Sequence, residues 1–299
     1  MFVANILYLC KMFKKFGVLL IVLTLAVSCN KRFEKAMKSS DKDYILQVAN
    51  EFYEEGKWSN AIELYQKVSA AFSGTEYAAD IAYKQADANF QDRNYRLAAH
   101  QFKTFYITNP ADPRAEEAAF RSAYAFYTDS PVYNLDQSST YNAIDELQSF
   151  INAYPESAKV EEANGYINEL REKLEKKAFE IAKIYYKTLK YKAAGIAFDN
   201  MLNDFPDTKF REEAMVYSLR SKYELAVNYS RFDRKELRLQ EAMTQYRLFT
   251  KAFPNSKFTD EAQKINQKIL DDMAKHREVA TKLEEDKKEN QNRENPVQS

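Results

Sequence analysis

One pattern recurs five times in the same register and constrains everything else the chain can do. It begins at an alanine (Ala61, Ala98, Ala143, Ala194, Ala242), and four residues later places a large apolar side chain: Tyr65, Phe102, Leu147, Phe198 or Tyr246. Eleven residues after the alanine stands Phe72, Asn109, Tyr154, Phe205 or Phe253, and in the last four copies a proline follows at once, Pro110, Pro155, Pro206 and Pro254. Two residues further on is a small polar residue, Thr75, Asp112, Ser157, Thr208 or Ser256. The last four copies continue with two acids and an alanine, as in Glu212-Glu213-Ala214.

Positions i and i+4 share one face of a helix, so each alanine leaves room beside a large side chain. Proline ends that helix, because it lacks an N–H and pushes the preceding residue out of the α region. The Ser, Thr or Asp after it is expected to accept a hydrogen bond from the free N–H groups of the next helix. The paired acids then fall in the first turn, where each stabilises the positive helix end by roughly 0.3 to 1 kcal/mol. Every unit is thus a helical hairpin, and hairpins of this size stack into an α-solenoid whose core is shared between neighbours. Composition agrees: Gly 5 and Pro 7 are too few for many short strands and tight turns. Most of the 21 tyrosines and 20 phenylalanines read as knobs that fill the alanine gaps.

The run Gly56-Lys57-Trp58-Ser59-Asn60-Ala61-Ile62-Glu63-Leu64-Tyr65, together with Asn94-Tyr95 before Ala98 and Tyr191 before Ala194, resembles the tetratricopeptide family. The resemblance implies an all-α fold, a right-handed α-solenoid of five tetratricopeptide-like hairpins plus a C-terminal helix. The alanines are 37, 45, 51 and 48 residues apart, against a family period of about 34. The later units therefore carry longer first helices or inserted loops, expected at Ser130–Ser139 and Asn228–Arg234. The solenoid is expected over 43–275, with 276–299 a charged helix end that frays into a disordered tail from about Lys282, where apolar residues nearly cease.

The N-terminus reads as a secretory signal. Met12-Phe13-Lys14-Lys15 precedes an apolar run from Phe16 to Val27 and then Ser28-Cys29. That run is too short to span a bilayer, which takes about 20 apolar residues. Leu25-Ala26-Val27-Ser28-Cys29 resembles a bacterial lipobox, which implies cleavage after residue 28 and acylation of the Cys29 thiol and amine. A start at Met12 would give a signal of ordinary length. Residues 29–42 form the lipidated linker in this reading. Asn30 after the cysteine, in place of the Asp that retains lipoproteins at the inner membrane, points by resemblance to the outer membrane and its periplasmic face. No cysteine follows Cys29, so no disulfide supports the mature fold.

Catalytic chemistry has little to build on. His100 and His276 stand far apart without metal-ligand spacing, and there is no glycine-rich phosphate loop or nucleophile elbow. The expectation is a protein with no enzymatic activity, no metal and no cofactor. Lys+Arg 44 against Asp+Glu 44 gives a formal net charge of +0, which removes the diffuse attraction that drives nucleic-acid binding. The charged run Glu169 to Lys177 alternates sign at helical spacing and reads as a solvated face.

Together, Trp58 to Tyr65, Asp136-Gln137-Ser138-Ser139-Thr140 leading into Ala143, Phe150 to Ser157, and Ala182 through Tyr191 to Thr208 resemble the BamD family, also called YfiO, of outer-membrane protein assembly lipoproteins. The likeness covers residues 29–275 and departs at Asn109, Ser73 and the polar tail. It implies a scaffold of the β-barrel assembly machinery whose partners are the periplasmic domains of a BamA-like barrel insertase, unfolded outer-membrane proteins and, through the lipid anchor, the outer membrane. Matching to the repeat gives Leu46, Asn50 and Tyr53, then Tyr83, Asp87 and Phe90, as candidates to line a peptide groove, with inter-helix packing as the competing role for each. The insertase contact is placed no more finely than Arg211 to Lys275. The alternative reading is a tetratricopeptide adaptor lipoprotein of another envelope system, serving cell-wall synthesis, secretion or motility; sugar-capture lipoproteins are generally longer.

Overall fold

The computed structural model describes residues 31–294. The signal segment and Cys29 lie outside the described residues. Among those residues every regular element is helical. A helical segment over 31–38 precedes α1 (Lys42–Glu54), α2 (Trp58–Val68), a 3-10 turn (Ser69–Phe72), α3 (Tyr77–Gln91), α4 (Tyr95–Thr108), α5 (Ala115–Asp129) and α6 (Ser138–Ala153). There follow α7 (Val160–Lys187), α8 (Tyr191–Asp204), α9 (Arg211–Asn228), α10 (Phe232–Ala252) and α11 (Thr259–Glu294). The five repeat alanines sit on α2, α4, α6, α8 and α10, the second helix of each hairpin. The chain divides into two compact units: one of 31–131 with 136–170, the other of 132–135 with 171–294.

The repeat is a packing rule. All five alanines are fully buried, and so are Tyr65, Phe102, Leu147 and Phe198 four residues on. Truncating a side chain such as Phe102 to alanine typically costs about 3–5 kcal/mol. The four residues before proline are each the C-cap of their helix and share one backbone conformation: Asn109, Tyr154, Phe205 and Phe253 have φ between −133 and −129° and ψ between 58 and 72°. That is the departure from the α region that a following proline imposes. In the first copy, where Ser73 replaces proline, the chain instead tightens into the 3-10 turn.

The small polar residue works one step earlier than its expected N-cap role. Asp112, Ser157, Thr208 and Ser256 accept from the N–H two residues on (Arg114, Lys159, Phe210 and Phe258, 2.8–3.2 Å), and those donors lie just outside the next helix. These are Asx- and ST-turns that steer the chain into the helix. Thr75 accepts nothing there; its hydroxyl donates to the Phe72 carbonyl at 2.7 Å.

Within a hairpin the first turn is tight. Gly56 has φ +69°, and Arg93 and Leu189 occupy the same register at +65° and +60°. At each, the next N–H closes a Schellman-type bond to a carbonyl five residues back: Lys57 to Phe52, Asn94 to Asn89 and Lys190 to Tyr185, 2.8–2.9 Å. The third and fifth hairpins lack this turn. The third has the expected loop, spanning residues 130–137; the fifth has a connection of only residues 229–231, because α10 begins at Phe232, inside the segment expected to be loop. A second difference lies at the end: α11 continues to Glu294, twelve residues beyond Lys282, where fraying was expected. Apolar burial is not needed for this, since Lys, Glu and Gln are good helix formers and Lys282 pairs with Glu278 at i,i+4 spacing, 2.7 Å.

Candidate peptide-binding row on the first helices

In the first unit, the first helices α1, α3 and α5 and the start of α7 carry a linked row of polar and aromatic side chains. Asp87 on α3 is its centre, only 6% exposed. It accepts hydrogen bonds from the Tyr53 hydroxyl of α1 and from the Arg121 guanidinium of α5, and a longer one from Gln91 Nε2 at 3.4 Å. A buried carboxylate is tolerated only when paired and hydrogen-bonded, and both conditions are met across the first helices of three successive hairpins. Burial, followed by the bond to Asp87, raises the Tyr53 phenol above its ordinary pKa, so it stays a neutral donor.

The remaining sequence-derived candidates join the same framework. Asn50 Oδ1 accepts from the Tyr65 hydroxyl at 2.8 Å and from Lys84 Nζ at 3.1 Å. Leu46 and Tyr53 pack against the first hairpin's core. Tyr83 meets Phe102 and Phe105 edge-on at 5.6 and 5.2 Å, and Arg114 lies 4.8 Å over its ring. Phe90 touches Tyr95 at 5.2 Å and Tyr124 at 5.8 Å, with the Arg121 guanidinium 5.4 Å above it. Asp87 thus serves inter-helix pairing, whereas Leu46, Asn50, Tyr53, Tyr83 and Phe90 remain half-buried and in reach of solvent.

Counting back from the repeat alanines does not find the rest of the row. Arg121, Tyr124 and Tyr127 on α5 and Tyr166 on α7 continue it: Tyr124 and Tyr127 lie 5.3 and 4.2 Å from Tyr166, centroid to centroid. The Tyr166 hydroxyl donates to Glu162 at 2.7 Å, and that of Tyr127 to Glu169. The bond to Glu169, then burial, pushes the Tyr127 phenol up to about 12. Eleven residues before Ala143 is Val132, which belongs to the inserted loop, so the register breaks at the third copy. The signal that survives is a separation of 34 between partners on successive first helices, as in Tyr53 to Asp87 and Asp87 to Arg121.

What this row can do is bind. Its carboxylates are held by Arg or by phenols rather than set beside a nucleophile, and no cluster of three His, Cys, Asp or Glu able to hold a metal occurs among the described residues. His100 is exposed on α4 with its ring 5.1 Å from Phe126, and His276 on α11 packs 4.3 Å from Phe232. Half-buried rings in a line suit the apolar side chains of an extended or helical peptide.

The second unit offers a different surface. An open dent beside α8 and α10 is lined by the exposed side chains of Ile196, Leu237 and Leu248, with Lys192 and Arg238 at its edge. Within Arg211 to Lys275, Arg220 is fixed by a two-pronged pair to Glu261 at 2.6 and 2.5 Å.

Residues 38–237 match the YfiO family, described as outer membrane lipoprotein. The chain belongs to this family. Among curated proteins it is similar to the outer membrane protein assembly factor BamD of Caulobacter vibrioides, 22% identical over 162 residues that cover 54% of this chain and 53% of that protein. The BamD of Haemophilus influenzae is 23% identical over 216 residues, 66% of this chain and 79% of its own length. The chain thus spans about half the length of the Caulobacter relative and more of the other. Among solved structures, the TPR2AB-domain:pHSP90-complex of yeast Sti1 aligns over 77% of this chain and 98% of its own at 14% identity and a TM-score of 0.33, too low to bear on the arrangement here. Family membership and the helical hairpins agree: this is a tetratricopeptide-type member of the YfiO family.

Proposed function

We propose that this chain is a lipid-anchored scaffold at the periplasmic face of the outer membrane that takes part in assembling outer-membrane proteins. Membership of the outer membrane lipoprotein family over residues 38–237 carries the reading, and relatives named as assembly factors give it its direction. In this reading Cys29 is acylated after cleavage. Several acyl chains then hold the protein stably, each buried CH₂ contributing about 0.8 kcal/mol. The first-helix row of Leu46, Asn50, Tyr53, Tyr83 and Phe90 would engage unfolded outer-membrane polypeptides through their apolar segments, with Asp87 keeping the helices in register. The region Arg211 to Lys275 would hold the periplasmic domains of a BamA-like barrel insertase. A scaffold of this kind needs only surfaces, which fits a row in which the charged groups pair with one another.

Depletion tests the reading: loss of this chain should lower many outer-membrane β-barrel proteins together, with co-purification of the barrel insertase from detergent-solubilised outer membrane. Unchanged barrel levels, with some other envelope complex recovered reproducibly, would overturn it. The intact mass of the membrane-extracted protein tests the anchor separately; an unmodified chain with residues upstream of Cys29 still attached would refute acylation.

A further inference from the structure

The helical segment over 31–38 has two faces of opposite character. Phe33, Ala36 and Met37 pack onto the first hairpin's core, with Ala36 fully buried. Lys31, Lys35 and Lys38, at i, i+4 and i+7, are all exposed on one face. The segment is fixed in place rather than loosely attached. Arg32 reaches Glu51 at 3.2 Å and Glu55 at 2.6 Å, and the Lys67 ammonium donates to the carbonyls of Ala36, Met37 and Ser39 at the segment's end. An open dent lies along the basic face, lined by Lys31, Lys35, Lys38, Ser39 and Tyr44, together with the acids Glu34 and Asp41. Asp41 is already engaged as the N-cap of α1, accepting from the N–H groups of Asp43 and Tyr44, and Glu34 stands 3.9 Å from Lys38.

We infer that this lysine face rests on the anionic headgroups of the membrane to which the chain is tethered. The inference deepens the proposed function and rests on its reading of Cys29 as the anchor. Lys31 stands only two positions after Cys29, a reach of at most about 7 Å even when fully extended. That is shorter than the screening length of about 8 Å at physiological ionic strength, so Lys31 cannot leave the field of a charged bilayer. A tether this short, joined to a segment docked on the folded body, leaves the lysine face as the side turned toward lipid phosphates. The contact would orient the first unit as well as holding it. Each lysine near an anionic surface strengthens binding by about five-fold, an effect that salt removes.

The test uses protein extracted from the outer membrane and placed in vesicles of phosphatidylcholine alone or with three parts in ten phosphatidylglycerol. The reactivity of individual lysines toward an amine reagent is then read by mass spectrometry. Intact mass reports acylation first. If no acyl chain is found, the anchor reading fails on its own account, and the free Cys29 thiol is coupled to a maleimide-bearing lipid so that the same comparison is still made. Lys31, Lys35 and Lys38 should react about five-fold more slowly in the phosphatidylglycerol vesicles. Lys251 and Lys268 should be unchanged, and the protection should vanish in 1 M salt. Equal rates in both vesicles would overturn the inference, as would protection shared equally by Lys251 and Lys268 or protection indifferent to salt.

Discussion

The row Tyr83, Asp87, Phe90 on α3 and the row Phe179, Lys183, Tyr186 on α7 occupy the same positions relative to their repeat alanines, Ala98 and Ala194, yet they hold the next helix with opposite charge. In the first unit a buried anion is gripped from both sides, by Tyr53 and Arg121. In the second a cation lies 4.8 Å over Phe179 and meets Glu180 and Glu213 at 3.8 and 3.7 Å, while the helices are joined mainly by rings: Phe179 against Phe210 at 4.8 Å and Phe198 against Tyr217 at 5.4 Å. The difference lies in what each solution depends on. A short buried carboxylate needs all its partners, whereas a long lysine stem can cover apolar surface and still bring its head to water.

Removing the anion should therefore have the largest effect. Asp87→Ala leaves the Tyr53 hydroxyl without its acceptor and the Arg121 guanidinium with Glu117, 3.9 Å away, as its remaining carboxylate, and is expected to destabilise by about 3 kcal/mol, measured by denaturant unfolding. The double variant Asp87→Leu with Arg121→Met should recover most of that loss, because it removes both charges together; a double variant no better than the single would show that the pairing is not the cause. Lys183→Met, at the matching position, should cost less than about 1 kcal/mol. A cost equal to that of Asp87→Ala would erase the contrast between the units.

Alkaline pH sharpens the comparison from another side. Burial, then Glu146, pushes the Tyr106 phenol up to about 12, and the Glu169 bond does the same for Tyr127; Tyr53, Tyr65, Tyr83 and Tyr166 are raised as well, all in the first unit. The second unit has Tyr223, pushed up to about 12 chiefly by burial, with Tyr186 and Tyr191 also raised. A phenol whose pKa is raised on folding contributes stability that is complete below its unfolded value near 10 and is lost as pH climbs toward the folded value. Melting temperature should accordingly fall between pH 10 and 12, and Tyr127→Phe and Tyr223→Phe should flatten the fall to a similar extent, because both phenols are pushed up to about 12. Flattening by one variant and not the other would show that the hydroxyl left unmoved is not held more tightly in the folded chain than in the unfolded one.

The smallest effect belongs to the turns, which the two units share. Arg93 and Leu189 hold left-handed conformations that Gly56 holds without strain. Arg93→Gly and Leu189→Gly should each raise stability by about 0.5 kcal/mol, the relief of strain outweighing the extra freedom of glycine in the unfolded chain. A loss at one position and a gain at the other would show that the turns are not equivalent after all.

Much of the fold could be read in advance because it is written at short range. Ala61 and Tyr65 are one helical turn apart, and Asn109 and Pro110 are adjacent, so packing faces and helix ends follow from local rules. The αL turn was legible at Gly56 and hidden at Arg93 and Leu189, where no glycine advertises it. The candidate row was half legible. Tyr83, Asp87 and Phe90 follow from the register, whereas Arg121 and Tyr124 do not, since the loop after α5 shifts them away from Ala143.

By itself the sequence determined that the chain would be a series of helical hairpins, where four of them would end, and which alanines would be buried, because each of these depends on residues within a turn or two of one another. Only the tertiary structure decided that Asp87 pairs with Tyr53 and Arg121, that Lys67 caps the segment over 31–38, and that residues 132–135 belong with the second unit. Those contacts join residues from about 30 to more than 40 positions apart, as with Lys177 and the Leu135 carbonyl. Whether a buried charge finds its partner is settled by how helices pack, which no local pattern encodes.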